Sequence, residues 1–350
     1  MGYKVAVLMG GKSFEREFSL LSGKNVCRAL EEAGHEVVPL DTTSDLVETL
    51  RAEKVDVAYV ALHGKHGEDG TIQSLLEYLE IPYVGCTAPV CRIARNKSNM
   101  EYVLEAHRAT QAAIEAACDK KPAAGAAAGA ASWPREVCLF IDAFKEMGLA
   151  TALSLVNDKF DKFPLVVKPA RGGSAMGLHK VACYDELAPA ILDALSYDTE
   201  VIIGEWIDGV ELGVSVVERA DGSLHVLPPV EISTSHEYFD TSARLDSGEA
   251  EYYAPPRSES FAALPGEGLP YDQVMSVVKA AAIEVFQAFG CRDMARVDMI
   301  WDGTSAKVIE LDVSPGMSQK SLMPAACDAE GITLAALIGE QLDKAVARRS

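Results

Sequence analysis

Phe163–Val181, FPLVVKPARGGSAMGLHKV, is the stretch on which the reading of this 350-residue chain turns. Leu165, Val166 and Val167 form an apolar, largely β-branched run that Lys168 closes, and Leu178–Ala182 resumes a strand pattern. Between the two, Gly172, Gly173 and Gly177 surround Ser174. The pattern predicts strand, glycine-rich loop, strand. Glycine lets consecutive backbone N–H groups turn toward one point, and such a concave row binds phosphate oxygens. Lys168 at the mouth would add a point charge for the same oxygens. No Gly-Lys-Ser/Thr opens a helix here, so this is not a Walker loop. A strand follows instead of a helix, so it is not a dinucleotide fingerprint either. An ordinary flexible hairpin is the plain alternative.

The surroundings of this hairpin are those of a sizeable soluble protein. The length is that of two or three domains. Hydrophobic content of 49% and charged content of 24% supply large cores. A net charge of −20 argues against a general nucleic-acid or membrane-surface binder, though a local basic pocket can still take an anion. The eight cysteines are scattered without a Cys-x-x-Cys pair and read as buried or free thiols of a reducing cytoplasm. No secretory signal or bilayer-length apolar run is visible, and Ala6 stands where a myristoylation signal needs Ser or Thr. The expectation is a cytoplasmic protein with no nucleic-acid or membrane partner.

Toward the N-terminus, strands alternate with helices. Lys4–Met9, Glu36–Leu40 and Val55–Leu62 read as strands. Helices are expected from Ser13, as N-cap, to about Ala33 with Gly34 as stop, near Ser44–Ala52, and over Ile72–Leu79. This alternation implies a parallel sheet covered on both faces, with ligands beyond the strands' carboxyl ends. Two loops fall there, Gly10–Arg16 and His63–Thr71 (HGKHGEDGT). Glu15 could complement a helix start or hold a substrate ammonium. His63 could pack, cap or bind. A helix from Thr87 is expected to run through Lys97 and Tyr102, extending on alanine to about Cys118. The run AAGAAAGAA reads as a linker or loop, and Glu136–Met147 as a helix stopped by Gly148. Beyond the hairpin come a helix over Tyr184–Leu195 and strands over Thr199–Trp206, Glu211–Glu218 and Leu224–Glu231. His236–Arg257 reads as a long covering loop, and Tyr271–Phe289 as a helix ended by Gly290.

The C-terminal part carries the most specific pattern. Ala295–Trp301 (ARVDMIW) and Lys307–Val313 (KVIELDV) read as an antiparallel pair joined at Asp302-Gly303. Alternation puts Arg296 and Asp298 on one face of the first strand, and Glu310 and Asp312 on one face of the second. If the faces coincide, three carboxylates and one arginine converge. Like charges this close call for a counter-ion, and hard carboxylate oxygens suit magnesium carrying nucleotide phosphates. The alternative is a solvated strand face. Ser314–Met317 follows as a turn whose N–H groups face the same place.

Taken together, these stretches resemble the ATP-grasp superfamily, and closely the D-alanine–D-alanine ligases. VLMGGKSFEREFSLLSG, ALHGKHGEDGTIQ, VVKPARGGSAMGL, ARVDMI and VIELDVSPGMSQKSLMP recur in family order over nearly the whole chain, the alanine-rich insertion excepted. The resemblance implies an α/β protein, α+β in its central and C-terminal parts. An N-terminal parallel α/β domain would span residues 1–96. A central ATP-grasp subdomain would span 97–205 with an insertion at about 106–135, and a C-terminal domain 206–350. It implies a ligase in which ATP phosphorylates one D-alanine carboxylate and a second D-alanine amine attacks the acyl phosphate, giving D-alanyl-D-alanine for peptidoglycan.

Carried over by motif, Glu15 holds the first substrate's ammonium with His63 nearby, and Lys97 and Lys168 bind ATP phosphates. Ser174 sits in the closing loop. Glu205, Trp206 and Ile207 form the adenine-facing hinge and Glu211 reaches the ribose. Asp298, Glu310 and Asp312 hold two Mg2+ ions, with Mn2+ an alternative. Arg296 stabilises the developing oxyanion and the transferred phosphoryl group, and Gly316 with Ser321 binds the second substrate's carboxylate. A cytoplasmic homodimer through the N-terminal domain is implied. The chain also departs from the family pattern. Arg244 replaces a lid lysine, Leu245 a tyrosine whose place Tyr238 could take, and Ala175 a serine. Asp312 replaces an asparagine. Gly204 replaces an adenine-edge glutamate, for which Glu205 could substitute. These changes leave open D-serine or D-lactate as acceptor, or a catalytically impaired ATP-binding homologue.

Overall fold

The structure is a computed structural model and describes residues 2–42, 45–117, 130–236, 238, 250–264 and 268–348. Near the N-terminus lies a parallel sheet of β1 (Lys4–Met9), β2 (Glu36–Asp41), β3 (Val57–Val60) and β4 (Tyr83–Val84), in the order β2-β1-β3-β4. Alternation along β1 sends Val5, Val7 and Met9 into one core and Ala6 and Leu8 into another. The first is closed by α1 (Arg16–Glu32) through Val26 and Leu30. The second is closed by α2 (Leu46–Glu53) and α3 (Thr71–Tyr78) through Leu46, Leu50 and Leu76. Helices therefore cover both faces, and β1 is apolar from Val5 to Met9 for that reason.

An antiparallel sheet follows, ordered β6 (Glu136–Phe140), β9 (Glu200–Glu205), β7 (Leu165–Pro169), β8 (His179–Val181). The stretch that opened the sequence reading is β7–loop–β8, as expected. Helices α6 (Ile141–Lys159) and α7 (Tyr184–Tyr197) bury Val156, Leu187 and Ile191 against it. A third, seven-stranded sheet runs β13 (Ala250–Tyr253), β12 (Val230–Thr234), β10 (Val210–Glu218), β14 (Met294–Trp301), β15 (Ala306–Asp312), β5 (Ala131–Ser132), with β11 (Leu224–Val226) paired to β10. One of its faces packs on α9 (Tyr271–Ala288) and, through Phe261, on the short α8 (Ser258–Ala262). Helices α10 (Leu322–Glu330) and α11 (Leu334–Ala347) pack between this sheet and the parallel one. Met323, Leu337 and Ile338 share a core there with Val5, Val7, Val217 and Met294. No single helix among the described residues is long and apolar enough to cross a membrane.

Several local expectations change. The helix from Thr87 is α4 (Ala88–Ala94), then a 3-10 turn at Lys97–Asn99, then α5 (Met100–Ala117). Asn96 breaks it by adopting extended backbone while its side chain accepts from Ser98 N. Ser13 is not the α1 N-cap; Glu15 is, and Ser13 forms the preceding turn. Glu136–Phe140 is a strand, because pairing with β9 outweighs the helix preference of a short segment. Gly148 does stop the first helical run, at Met147: its non-helical backbone (φ +76, ψ 161) kinks α6, and a second run continues to Lys159. The linker reading of AAGAAAGAA fails at its end, where Ala131 is in β5; residues 118–129 lie outside the described residues. Leu224–Glu231 is two short strands, and the long covering loop contains β13. The β14–β15 connection is four residues long, held by Asp302 Oδ1 accepting from Thr304 N and Ser305 N.

Candidate active site

The three sheets meet around a cavity of about 540 Å³, whose wall includes Glu15, His63, Arg95, Ser174, Arg296 and Glu310. Glu15 ends the turn that leads into α1. Ser13 Oγ accepts from Glu15 N (3.1 Å) and donates to the His63 carbonyl (2.8 Å), tying the two expected ligand loops together. The Glu15 carboxylate lies between two glycines of different elements. A Cβ on Gly64 would come within 2.2 Å of Glu15 Oε2, and one on Gly173 within 2.4 Å of Oε1. Both positions must therefore be glycine for this carboxylate to sit against backbone, and Gly64 also has φ +70.

His63 is fixed from both ring nitrogens. Nε2 lies 2.9 Å from Ser22 Oγ, which accepts from Met317 N (3.1 Å). Nδ1 lies 3.6 Å from Glu68 Oε1, and Glu68 Oε2 accepts from Arg95 Nη1 at 2.7 Å. Burial pushes the Glu68 carboxyl up, but Arg95 and then His63 outweigh it and hold it at about 2. Glu68 is thus an anion under all ordinary conditions.

The β14–β15 register brings the charged residues together as alternation predicts. Arg296 is opposite Asp312 and Asp298 opposite Glu310, with an irregularity between Asp298 and Met299. Arg296 donates to Asp298 through Nε (2.6 Å) and Nη2 (2.8 Å), and its Nη1 lies 3.0 Å from Asp312 Oδ2. Burial lowers the Arg296 pKa, but Asp298 and Asp312 outweigh it and leave the guanidinium firmly charged. Lys97 Nζ reaches Glu310 Oε1 (2.8 Å) and the Gly172 carbonyl (2.7 Å), so the carboxylate wall touches the glycine loop directly. Burial raises the Glu310 pKa, but Lys97 outweighs it and holds it low. Burial lifts Asp312 to about 6; Arg296 opposes the rise while Glu68 and Asp298 add to it.

Among the described residues no three His, Cys, Asp or Glu side chains are grouped to hold a metal ion. Arg296 and Lys97 pair with these carboxylates from within the chain. The donor set still fits a hard divalent cation: three carboxylates occupy paired strand positions, and at Asp312 burial and neighbouring carboxylates disfavour the anion.

Gly316 and Ser321 both line the cavity at the start of α10, where Ser321 Oγ accepts from Ser318 N at 3.1 Å. Ser174, at φ +52 in the β7–β8 loop, lines the same cavity. Lys168, Glu205, Trp206, Ile207 and Glu211 are not in this wall; Glu205 ends β9, Trp206 and Ile207 follow it, and Lys168 on β7 is opposite Ile202 of β9. Lys168 is buried with Nζ 3.7 Å from Glu136 Oε2. Glu205 is exposed, 3.9 Å from Arg135. Trp206 donates from N to the Pro164 carbonyl and carries Lys180 Nζ over its ring at 4.7 Å. Glu211 pairs on β10 with Ile232 and Ile300. Tyr238 donates to the Leu178 carbonyl (3.0 Å) on the glycine hairpin. Arg244 and Leu245 lie outside the described residues. Sequence reading missed Ser22, Glu68, Arg95 and Glu136. Of these only Glu68 had a signal, its place in the charged loop HGKHGEDGT.

A glycine hairpin on one antiparallel sheet, apposed to an acidic, arginine-bearing wall on another and flanked by a parallel α/β unit, defines an ATP-grasp protein. The sequence matches two family models, "D-ala D-ala ligase C-terminus" over residues 152–343 and "D-ala D-ala ligase N-terminus" over residues 42–86. It is 34% identical to a D-alanine–D-alanine ligase of Desulforamulus reducens over 334 residues, 95% of each chain. The crystal structure of the D-alanine–D-alanine ligase of Bacillus anthracis superposes with a TM-score of 0.74 at 28% identity, covering 99% of each chain. Its complex with ATP gives 0.72 at 26% identity, again over 99% of each chain. The chain belongs to the D-alanine–D-alanine ligase family.

Proposed function

We propose that the protein joins two D-alanine molecules at the expense of ATP, through an acyl phosphate, to make the peptidoglycan dipeptide. The observation that carries this reading is the convergence of Glu15, Arg296 and Glu310 on one cavity in a chain that matches named ligases along nearly its full length. Glu15 and His63 hold and orient the first D-alanine. Lys97 and Lys168 neutralise nucleotide phosphates, and Ser174 closes over them. The Glu205–Ile207 segment takes the base and Glu211 the ribose. Arg296 stabilises charge that develops on the acyl carbon's oxygen and on the phosphoryl group, a preorganised cation being worth most in a dry site. Gly316 and Ser321 receive the second carboxylate, and Arg244 is a further substrate-binding residue. Asp298, Glu310 and Asp312 would hold magnesium, which when bound supplies Lewis-acid neutralisation of phosphate oxygens. Residues 1–96, 97–205 and 206–350 act as three domains around this site, in a cytoplasmic homodimer.

The relatives' names favour D-alanine over D-serine or D-lactate as acceptor. The test is purified protein with ATP, magnesium and an equal mixture of the three acceptors, read by product mass and phosphate release. D-alanyl-D-alanine is expected to dominate. A dominant D-alanyl-D-serine or D-alanyl-D-lactate overturns the acceptor, and no D-alanine-dependent phosphate release overturns the activity.

A further inference from the structure

Glu136 on β6 is directly opposite Gly204 on β9, one residue before the segment assigned to the base. Its side chain is 9% exposed. Trp133 Nε1 donates to Oε1 at 2.5 Å. Oε2 is buried and, among the described residues, has no hydrogen-bond partner; Lys168 Nζ stands 3.7 Å away, an ion pair too long for a hydrogen bond. A buried carboxylate oxygen without a donor is costly, so this one calls for a donor from outside the chain, a ligand or a water. The opposite strand leaves this oxygen its room. A Cβ on Gly204 would stand 3.0 Å from Glu136 Cβ, so a side chain there would crowd it.

We propose that Glu136, and not the exposed Glu205, is the residue of this chain that selects the nucleotide, its Oε2 accepting an N–H from the exocyclic amine of adenine. An acceptor-only carboxylate is satisfied by a base carrying an amine at that edge and repelled by one carrying a carbonyl, so ATP is taken and GTP refused. Lys168, paired with the same oxygen, couples base selection to the phosphate side of the nucleotide.

The inference rests on the ATP-dependent reading of the site, and the test separates the two. Binding of ATP, GTP and purine riboside triphosphate, which lacks the amine, is measured by calorimetry on wild type, Glu136→Ala and Glu136→Gln, alongside dipeptide formation. Wild type is expected to prefer ATP over the amine-free analogue by about tenfold or more. Glu136→Ala should bring that ratio near unity even if overall affinity falls through Lys168. Glu136→Gln, whose amide can donate to a carbonyl, should raise GTP relative to ATP. Wild type that binds ATP and the amine-free analogue equally overturns the inference without any variant, as does a Glu136→Ala ratio within about twofold of wild type; in either case dipeptide formation still stands or falls separately.

Discussion

Glu68 illustrates how a single side chain can set the chemistry of its neighbours. It is the anion between Arg95 and His63, and its depressed pKa makes it a contributor to stability. The folded value, about 2, lies below the unfolded 4.5, so the contribution is complete above 4.5 and is lost as pH falls toward 2. Glu68→Gln should therefore show a shallower fall of unfolding free energy than wild type between about pH 5 and pH 3. Denaturant titrations at several pH values in that window check it; parallel slopes for the two proteins would mean that the Arg95 pair does not hold the charge. At this scale the sequence was readable where charge alternated with apolar residues, as in ARVDMIW and KVIELDV. It was unreadable where one charge stood alone. Arg95 ends a helix and Glu136 opens a strand that looked helical, and nothing in their flanks marks either as lining a site.

Between elements, the decisive contacts are made by absent side chains. Gly64 belongs to the loop after β3 and Gly173 to the β7–β8 hairpin, yet both press on the Glu15 carboxylate. Their replacement should have different consequences. A Cβ at Gly173 meets the far end of the Glu15 side chain, with Arg95 Nη1 at ordinary contact distance (3.5 Å), so Gly173→Ala should raise the KM for D-alanine several-fold while leaving the melting temperature nearly unchanged. Gly64→Ala adds backbone strain at φ +70 to the same collision and should also cost about 1–2 kcal/mol of stability. Kinetics beside thermal melts separate the two, and equal melting losses would show that the glycines act on folding alone. The strand–loop–strand reading of the hairpin held because glycine punctuation between β-branched runs is a local signal. The Glu136–Phe140 strand was missed because its only support is register with β9, a partner about sixty residues away. The end of α4 was missed because alanine and charged residues flank Asn96 without a proline or glycine to announce the break.

Across the molecule, the C-terminal helix ties the parallel sheet to the seven-stranded one through Asp293. This carboxylate is fully buried at φ +62, accepts from Gly85 N (2.8 Å) and pairs with Arg348 (2.7 and 2.8 Å), while Arg348 also donates to the Tyr83 carbonyl. Asn tolerates the left-handed backbone, so Asp293→Asn isolates the charge. Leaving the partly exposed Arg348 without its anion, while Lys344 keeps Glu218 at 2.8 Å, should cost about 1–3 kcal/mol, seen as a lower melting temperature for the whole chain. A separate early transition of the parallel sheet alone would show instead that the two sheets fold independently. The shared core of Val5, Val217, Met294 and Ile338 argues for a joint transition.

The wedge around Glu15 has one more consequence. Its packing partners are main-chain positions in the loops of two different sheets, and the neighbouring His63 is held by Ser22, itself pinned by the Met317 N–H. A side chain added at either glycine displaces the carboxylate, so this half of the pocket cannot be reshaped by exchanging residues one at a time. Change in what the protein accepts is channelled to the rest of the wall, where Ser318, Gln319 and Leu322 present replaceable side chains. The molecule works as a vice with one jaw cast in place and the other open to adjustment.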